Sequence, residues 1–86
     1  MNPVTAQVSL YPLRQTSLSE AIERLLRVLD AHGLEVRPGP MSTLVVGSTE
    51  AVFEGLEQGF REAADRGQVV LVATFSNACS IEGLEP

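Results

Sequence analysis

His32 and Cys79 are the side chains best suited to nucleophilic catalysis near neutral pH, and each residue type occurs once in the chain. A catalytic dyad or triad would need His32 as its base. That histidine stands at the end of a helical pattern, directly before Gly33, where a helix dipole favours a cation. Helix capping therefore accounts for it, and no spacing links it to Cys79. No group of His, Cys, Asp and Glu has metal-ligand spacing. Gly47, Gly55 and Gly59 do not make a phosphate loop, because Gly-x-x-x-x-Gly-Lys is absent and all six cations are arginine. What remains is a neutral polar set: Gln7, Ser9, Tyr11, Ser42, Thr43, Thr74, Ser76 and Asn77. A carboxamide offers a donor and an acceptor side by side, the complement of an aminopyrimidine or similar heterocycle. Tyr11 and Phe53 would supply stacking surfaces.

The elements that must position these side chains follow from periodicity. Val4, Ala6, Val8 and Leu10 alternate with Thr5, Gln7, Ser9 and Tyr11, which predicts a strand with one buried face, ended by Pro12. Ser17 and Glu20 have capping-box spacing, and Leu18, Ala21, Ile22, Leu25, Leu26 and Leu29 recur at helical steps up to His32 and Gly33. Leu34–Arg37 reads as a short strand, Pro38-Gly39-Pro40 as a turn, and Met41–Gly47 as a third strand. Ser48 or Thr49 caps a second helix whose stripe is Val52, Phe53, Leu56, Phe60, Ala63 and Ala64, stopped at Gly67. Gly55 and Gly59 inside that helix predict close packing against its neighbours; clearance for a ligand is the other reading. Gln68–Ser76 closes the series, and its run Val69-Val70-Leu71-Val72-Ala73 suits a strand buried on both faces. The tail from Asn77 to Pro86 has no period.

Strand, helix, strand, strand, helix, strand, in two nearly equal halves with right-handed crossovers, predicts a ferredoxin-like βαββαβ sandwich. Its antiparallel sheet has order 4-1-3-2, with both helices on one face. At 86 residues the chain is read as one ligand-binding domain, 1–86. A formal charge of −5 argues against a nucleic-acid partner and favours a cationic ligand over a phosphorylated one. No apolar run nears the roughly 20 residues of a membrane span, and the first residues carry no basic leader. The expectation is a cytoplasmic protein without membrane insertion.

Helices on one face leave the other bare. That face is expected to carry Thr5, Gln7, Ser9 and Tyr11, then Met41, Thr43 and Val45, then Val70, Val72, Thr74 and Ser76, with no charged residue. Such a patch approaches about 400 Å² and marks an interaction site. A second subunit is expected to cover it, either as a seam with water-bridged hydroxyls or as a seam that holds a ligand.

Four stretches carry a family resemblance. Ala6-Gln7-Val8-Ser9-Leu10-Tyr11-Pro12-Leu13 resembles the Phe-Ser-Leu-Tyr-Pro-Met stretch of the YkoF-type thiamine/hydroxymethylpyrimidine-binding family. Met41-Ser42-Thr43-Leu44-Val45-Val46-Gly47, Val52-Phe53-Glu54 and Ala73-Thr74-Phe75-Ser76-Asn77-Ala78-Cys79 follow in the same order, so the match covers most of the chain. The resemblance implies a ferredoxin-like fold and a non-catalytic, cofactor-free protein that binds thiamine or its pyrimidine precursor in vitamin B1 salvage or uptake. Family members of YkoF type carry two tandem copies, whereas this sequence has one; single-copy relatives assemble as dimers or tetramers. Ser9, Tyr11, Ser42, Thr43, Thr74, Ser76 and Asn77 fall on the matching motifs, and Thr43 and Asn77 are expected to orient the ring with Tyr11 beside it. The end of the fourth strand lies opposite the Tyr11 end of the first, so a subunit seam or two separate clusters would be needed to use them all. Two other readings stand beside this one: an oligomerisation module with no small ligand, and an acylphosphatase-like hydrolase using Arg14 and Asn77 without a glycine cradle.

Overall fold

Alternation along the first ten described residues decides the architecture. The computed structural model describes residues 3–14 and 18–78. Strand β1 (Pro3–Pro12) is followed by α1 (Leu18–Ala31), β2 (Glu35–Pro38), β3 (Thr43–Ser48), α2 (Thr49–Ala64) and β4 (Val69–Ser76). The sheet is antiparallel in the order β2-β3-β1-β4, the expected 4-1-3-2 read from the other edge. Two layers, one of strands and one of helices, make a slab only 17 Å across its thinnest axis. This is the ferredoxin-like βαββαβ fold.

Val4, Ala6, Val8 and Leu10 are buried against Ala21, Leu25 and Leu29 of α1 and Val52 and Leu56 of α2. Helix α1 ends as its sequence requires. Gly33 has φ +74°, Gly33 N–H donates to the Asp30 carbonyl and Leu34 N–H to the Leu29 carbonyl, a double closure that also packs Leu34 on Leu29. Its expected Ser17 cap lies outside the described residues. Helix α2 is capped by Ser48, whose Oγ accepts from Ala51 N–H at 3.2 Å. The two helix glycines serve packing, as expected: a Cβ at Gly55 would press on Leu34 and Leu29, and one at Gly59 on Leu25.

Three expectations are corrected by the register. Thr43 lies opposite Val8 and Val45 opposite Ala6, so both face the helices, while Leu44 and Val46 share the bare face with Gln7 and Thr5. The predicted phase of β3 is therefore inverted within the strand. Directly opposed residues share a face, so pairing with β1 overrides any preference of β3 itself. Second, the run Val69–Ala73 is not buried on both faces: β4 is an edge strand, as the predicted order placed it, and Val70 and Val72 on its bare side are 45% and 52% exposed. Third, the bare face is not free of charge, since Glu35 and Arg37 of β2 stand opposite Val46 and Leu44.

Replacing Gly59 tests the helix pairing. Gly59→Val forces a branched side chain against buried Leu25 and should cost about 1–3 kcal/mol. Thermal unfolding at fixed protein concentration should show a melting temperature lower by roughly 4–8 °C per kcal/mol.

Candidate functional site

One row of side chains crosses all four strands on the bare face. Arg37 of β2 pairs with Leu44 of β3, Leu44 with Gln7 of β1, and Gln7 with Thr74 of β4. The next row in the sheet contains Glu35, Val46, Thr5 and Ser76. Along one side runs the turn between β2 and β3. Its Gly39 N–H donates to the Ser42 carbonyl at 2.9 Å, and a Cβ on Gly39 would come within 3.0 Å of that oxygen. The turn and the rows enclose a groove of about 570 Å³, within the range of small-molecule sites. Its lining is Thr5, Gln7, Arg37, Pro38, Gly39, Pro40, Met41, Ser42, Leu44, Thr74 and Ser76.

The groove brings the Gln7 amide, four hydroxyls (Thr5, Ser42, Thr74 and Ser76) and the Arg37 guanidinium around Leu44. Gln7 Nε2 donates to Ser42 Oγ at 3.2 Å, which fixes the carboxamide while its oxygen keeps acceptor capacity. Ser9 stands at the margin, where its Oγ donates to the Met41 carbonyl at 3.4 Å. Ser76 Oγ accepts from Ala78 N–H at 3.0 Å. Arg37 lines the groove, and its Nε lies 3.4 Å from Glu35 Oε2 in the neighbouring row. Among the described residues, no buried side-chain polar atom lacks a hydrogen-bond partner. Met41, 87% exposed, lines the groove without being packed.

The structure thus unites Gln7, Ser42, Thr74 and Ser76, with Ser9 adjacent. The others lie elsewhere. Tyr11 faces Val70, four residues or about 13 Å along β1 from Gln7. Thr43 is buried beneath the helices at 8% exposure, so its expected place on the bare face is wrong. Phe53 stacks on Phe75 at a centroid distance of 4.3 Å, on the helix side of the sheet, and cannot form one stacking surface with Tyr11. Asn77 follows β4, exposed and outside the groove lining. Arg14 and Asn77 lie beyond opposite ends of the β1–β4 ladder, about 30 Å apart by strand rise, which separates the pair invoked for acylphosphatase chemistry. Cys79 lies outside the described residues. His32 Nε2 lies 2.7 Å from Gln58 Oε1, a contact between helices. Among the described residues no cluster of three or more His, Cys, Asp and Glu could hold a metal, and no helix is long and apolar enough to cross a membrane.

Sequence reading did not name Arg37 or Leu44 for the groove, and read Pro38–Pro40 as a turn without placing it at the groove wall. Glu35 and Arg37 alternate with Leu34 and Val36, which was the available signal that β2 also has a bare side.

The fold and its groove alone do not define a function, and comparison with known proteins supplies the class. The model of the thiamine-binding protein family matches residues 6–75, and the chain belongs to that family. The resemblance read from the four motifs is borne out. A hypothetical protein of Methanocaldococcus jannascii shares the fold with a TM-score of 0.87 at 22% identity, over 95% of this chain and 91% of that one. A Thermotoga maritima protein provisionally assigned to thiamine biosynthesis or salvage gives 0.80 at 22% identity, over 93% and 91%. A Streptococcus pneumoniae protein gives 0.81 at 14%, over 95% and 92%. No curated protein matches the chain significantly.

Because Gln7 and Ser42 bond at the surface and support no core contact, Ser42→Ala should leave stability within about 0.5 kcal/mol. Chemical denaturation with an unchanged slope checks this.

Proposed function

We propose that the protein is a non-catalytic binder of thiamine, hydroxymethylpyrimidine or a related aminopyrimidine, and that the groove on the bare sheet face is its site. The observation that carries this reading is the Gln7 carboxamide, held by Ser42 between Leu44 and Thr74 in a chain of the thiamine-binding family. In this reading the pyrimidine edge pairs with Gln7, its ring lies against Leu44, and the Ser42, Thr74 and Ser76 hydroxyls take the remaining polar atoms. Glu35, in the row beside the groove and paired with Arg37, is the carboxylate nearest in register for the cationic thiazolium of thiamine. Thr43, Phe53, Tyr11 and Asn77 have no part within one protomer's groove.

The wider proposal is a single-domain homo-oligomer, dimer or tetramer, acting in the cytoplasm in vitamin B1 salvage. A second copy over the bare face would shield Tyr11, Val70 and Val72, each close to half exposed. Those same exposed side chains support the other reading, an oligomerisation module with no small ligand.

Calorimetry separates the two. A ligand of about eighteen heavy atoms at ~0.3–0.5 kcal/mol per atom would bind with roughly 5–9 kcal/mol, or dissociation constants from hundreds of micromolar to sub-micromolar. Thiamine, its phosphates, the pyrimidine and the thiazole alone should be titrated in turn. Heat and a raised melting temperature with thiamine or the pyrimidine are expected; no response to any of them would reject the binding role. Gln7→Ala, which removes one neutral hydrogen bond, should weaken binding by about 2–12-fold.

A further inference from the structure

Among the described residues that line the groove, Arg37 alone is charged, in a chain of net charge −5. That net charge favours a cationic ligand at a distance. Exposed charges farther apart than about 8 Å are largely screened at physiological ionic strength, so the lining itself decides what the groove holds in contact. Thr5, Gln7, Ser42, Thr74 and Ser76 are its neutral polar members. The groove is thus locally cationic, against the sign of the whole molecule.

Register places that cation relative to the amide. Arg37 of β2, Leu44 of β3 and Gln7 of β1 are directly opposed across three neighbouring strands, so their side chains rise from one face in one row. Strands lie about 4.8 Å apart, which puts the stem of Arg37 two spacings, or about 10 Å, from the stem of Gln7. The order along the row is amide, apolar residue, guanidinium. A heterocycle held at its edge by Gln7 and lying on Leu44 therefore directs its far substituent toward Arg37. A hydrogen bond of about 2.9 Å at each end, one six-membered ring and a one-carbon ester arm together span a comparable distance. A second ring between them overshoots it.

A phosphate suits the guanidinium end of that row. A guanidinium presents planar, forked donors matched to two oxygens of one phosphate, an arrangement that a neutral hydroxymethyl group cannot use. Arg37 also has a competing partner. Its Nε lies 3.4 Å from Glu35 Oε2, in a pair whose side chains are 47% and 57% exposed. Exposed ion pairs of this kind are weak, so an incoming phosphate exchanges for the carboxylate at little cost.

We propose that Arg37 makes the groove a reader of phosphorylation, which selects the phosphate monoester of the aminopyrimidine alcohol over the free alcohol. The inference rests on the binding role proposed above and adds which form of the ligand is selected. The ester is held intact, and no bond in it is made or broken.

Calorimetric titration with hydroxymethylpyrimidine and with its monophosphate, at one fixed ionic strength, tests it. The ester should bind at least about tenfold tighter than the free alcohol, and Arg37→Ala should bring that ratio to within about twofold. Arg37→Lys keeps the charge without the fork and should fall between the two. Glu35→Gln removes the competing carboxylate and should raise the ratio, a result that does not depend on how Arg37→Ala folds; an unchanged ratio contradicts the proposal. Thiamine and thiamine monophosphate form a second arm. Their longer span carries the phosphate past Arg37, so the gain on phosphorylation should be smaller. An ester that binds no tighter than the alcohol overturns the inference, as does a preference that survives Arg37→Ala or is confined to thiamine monophosphate. Binding of the free alcohol with no preference for the ester sinks this inference alone, whereas no binding of any of these compounds removes the binding role with it.

Discussion

The pleat of β1 is the constraint on which everything else depends. This strand pairs on both margins, with β3 and with β4, so the side to which each of its residues points is imposed on two neighbours. Val4, Ala6, Val8 and Leu10 are drawn under the helices by burial. Thr5, Gln7, Ser9 and Tyr11 are thereby committed to the other face, whatever β3 and β4 would prefer. A slip of one residue would exchange the two sets and bury an amide and hydroxyls in the core.

The helices complete the separation. Gly55 and Gly59 let α2 approach Leu25, Leu29 and Leu34, so the helix pair closes over one side of the sheet and the apolar needs of the chain are met there. The opposite side is left to divide along β1. Toward Gln7 it forms a polar groove walled by the β2–β3 turn, and toward Tyr11 it is apolar, with Val70 and Val72 beside it. Recognition of a small molecule and contact with another copy can thus occupy different parts of one surface.

What was legible in the sequence follows the same physics. β1 declared its faces because its alternation is strict, and β4 did so because Leu71 and Phe75 are bulkier than Thr74 and Ser76. β3 did not, since Thr43-Leu44-Val45-Val46 is apolar or β-branched at every position and neither phase has the greater claim to the core. Its faces are set by contact with β1, a long-range fact that local pattern does not contain. Gln7, Ser42, Thr74 and Ser76 were named together from their chemistry, but the groove they line depends on how the turn at Pro38–Pro40 folds beside the sheet. Phe53 read as available for stacking because helical periodicity cannot reveal that Phe75 already lies on it.

The account turns on where a ligand sits. The most direct measurement follows backbone amide shifts by nuclear magnetic resonance as thiamine is added to the isotopically labelled protein. The account predicts saturable changes concentrated at Thr5, Gln7, Arg37, Ser42, Leu44, Thr74 and Ser76. Changes centred on the stacked pair Phe53 and Phe75, on the helix side of the sheet, would contradict it.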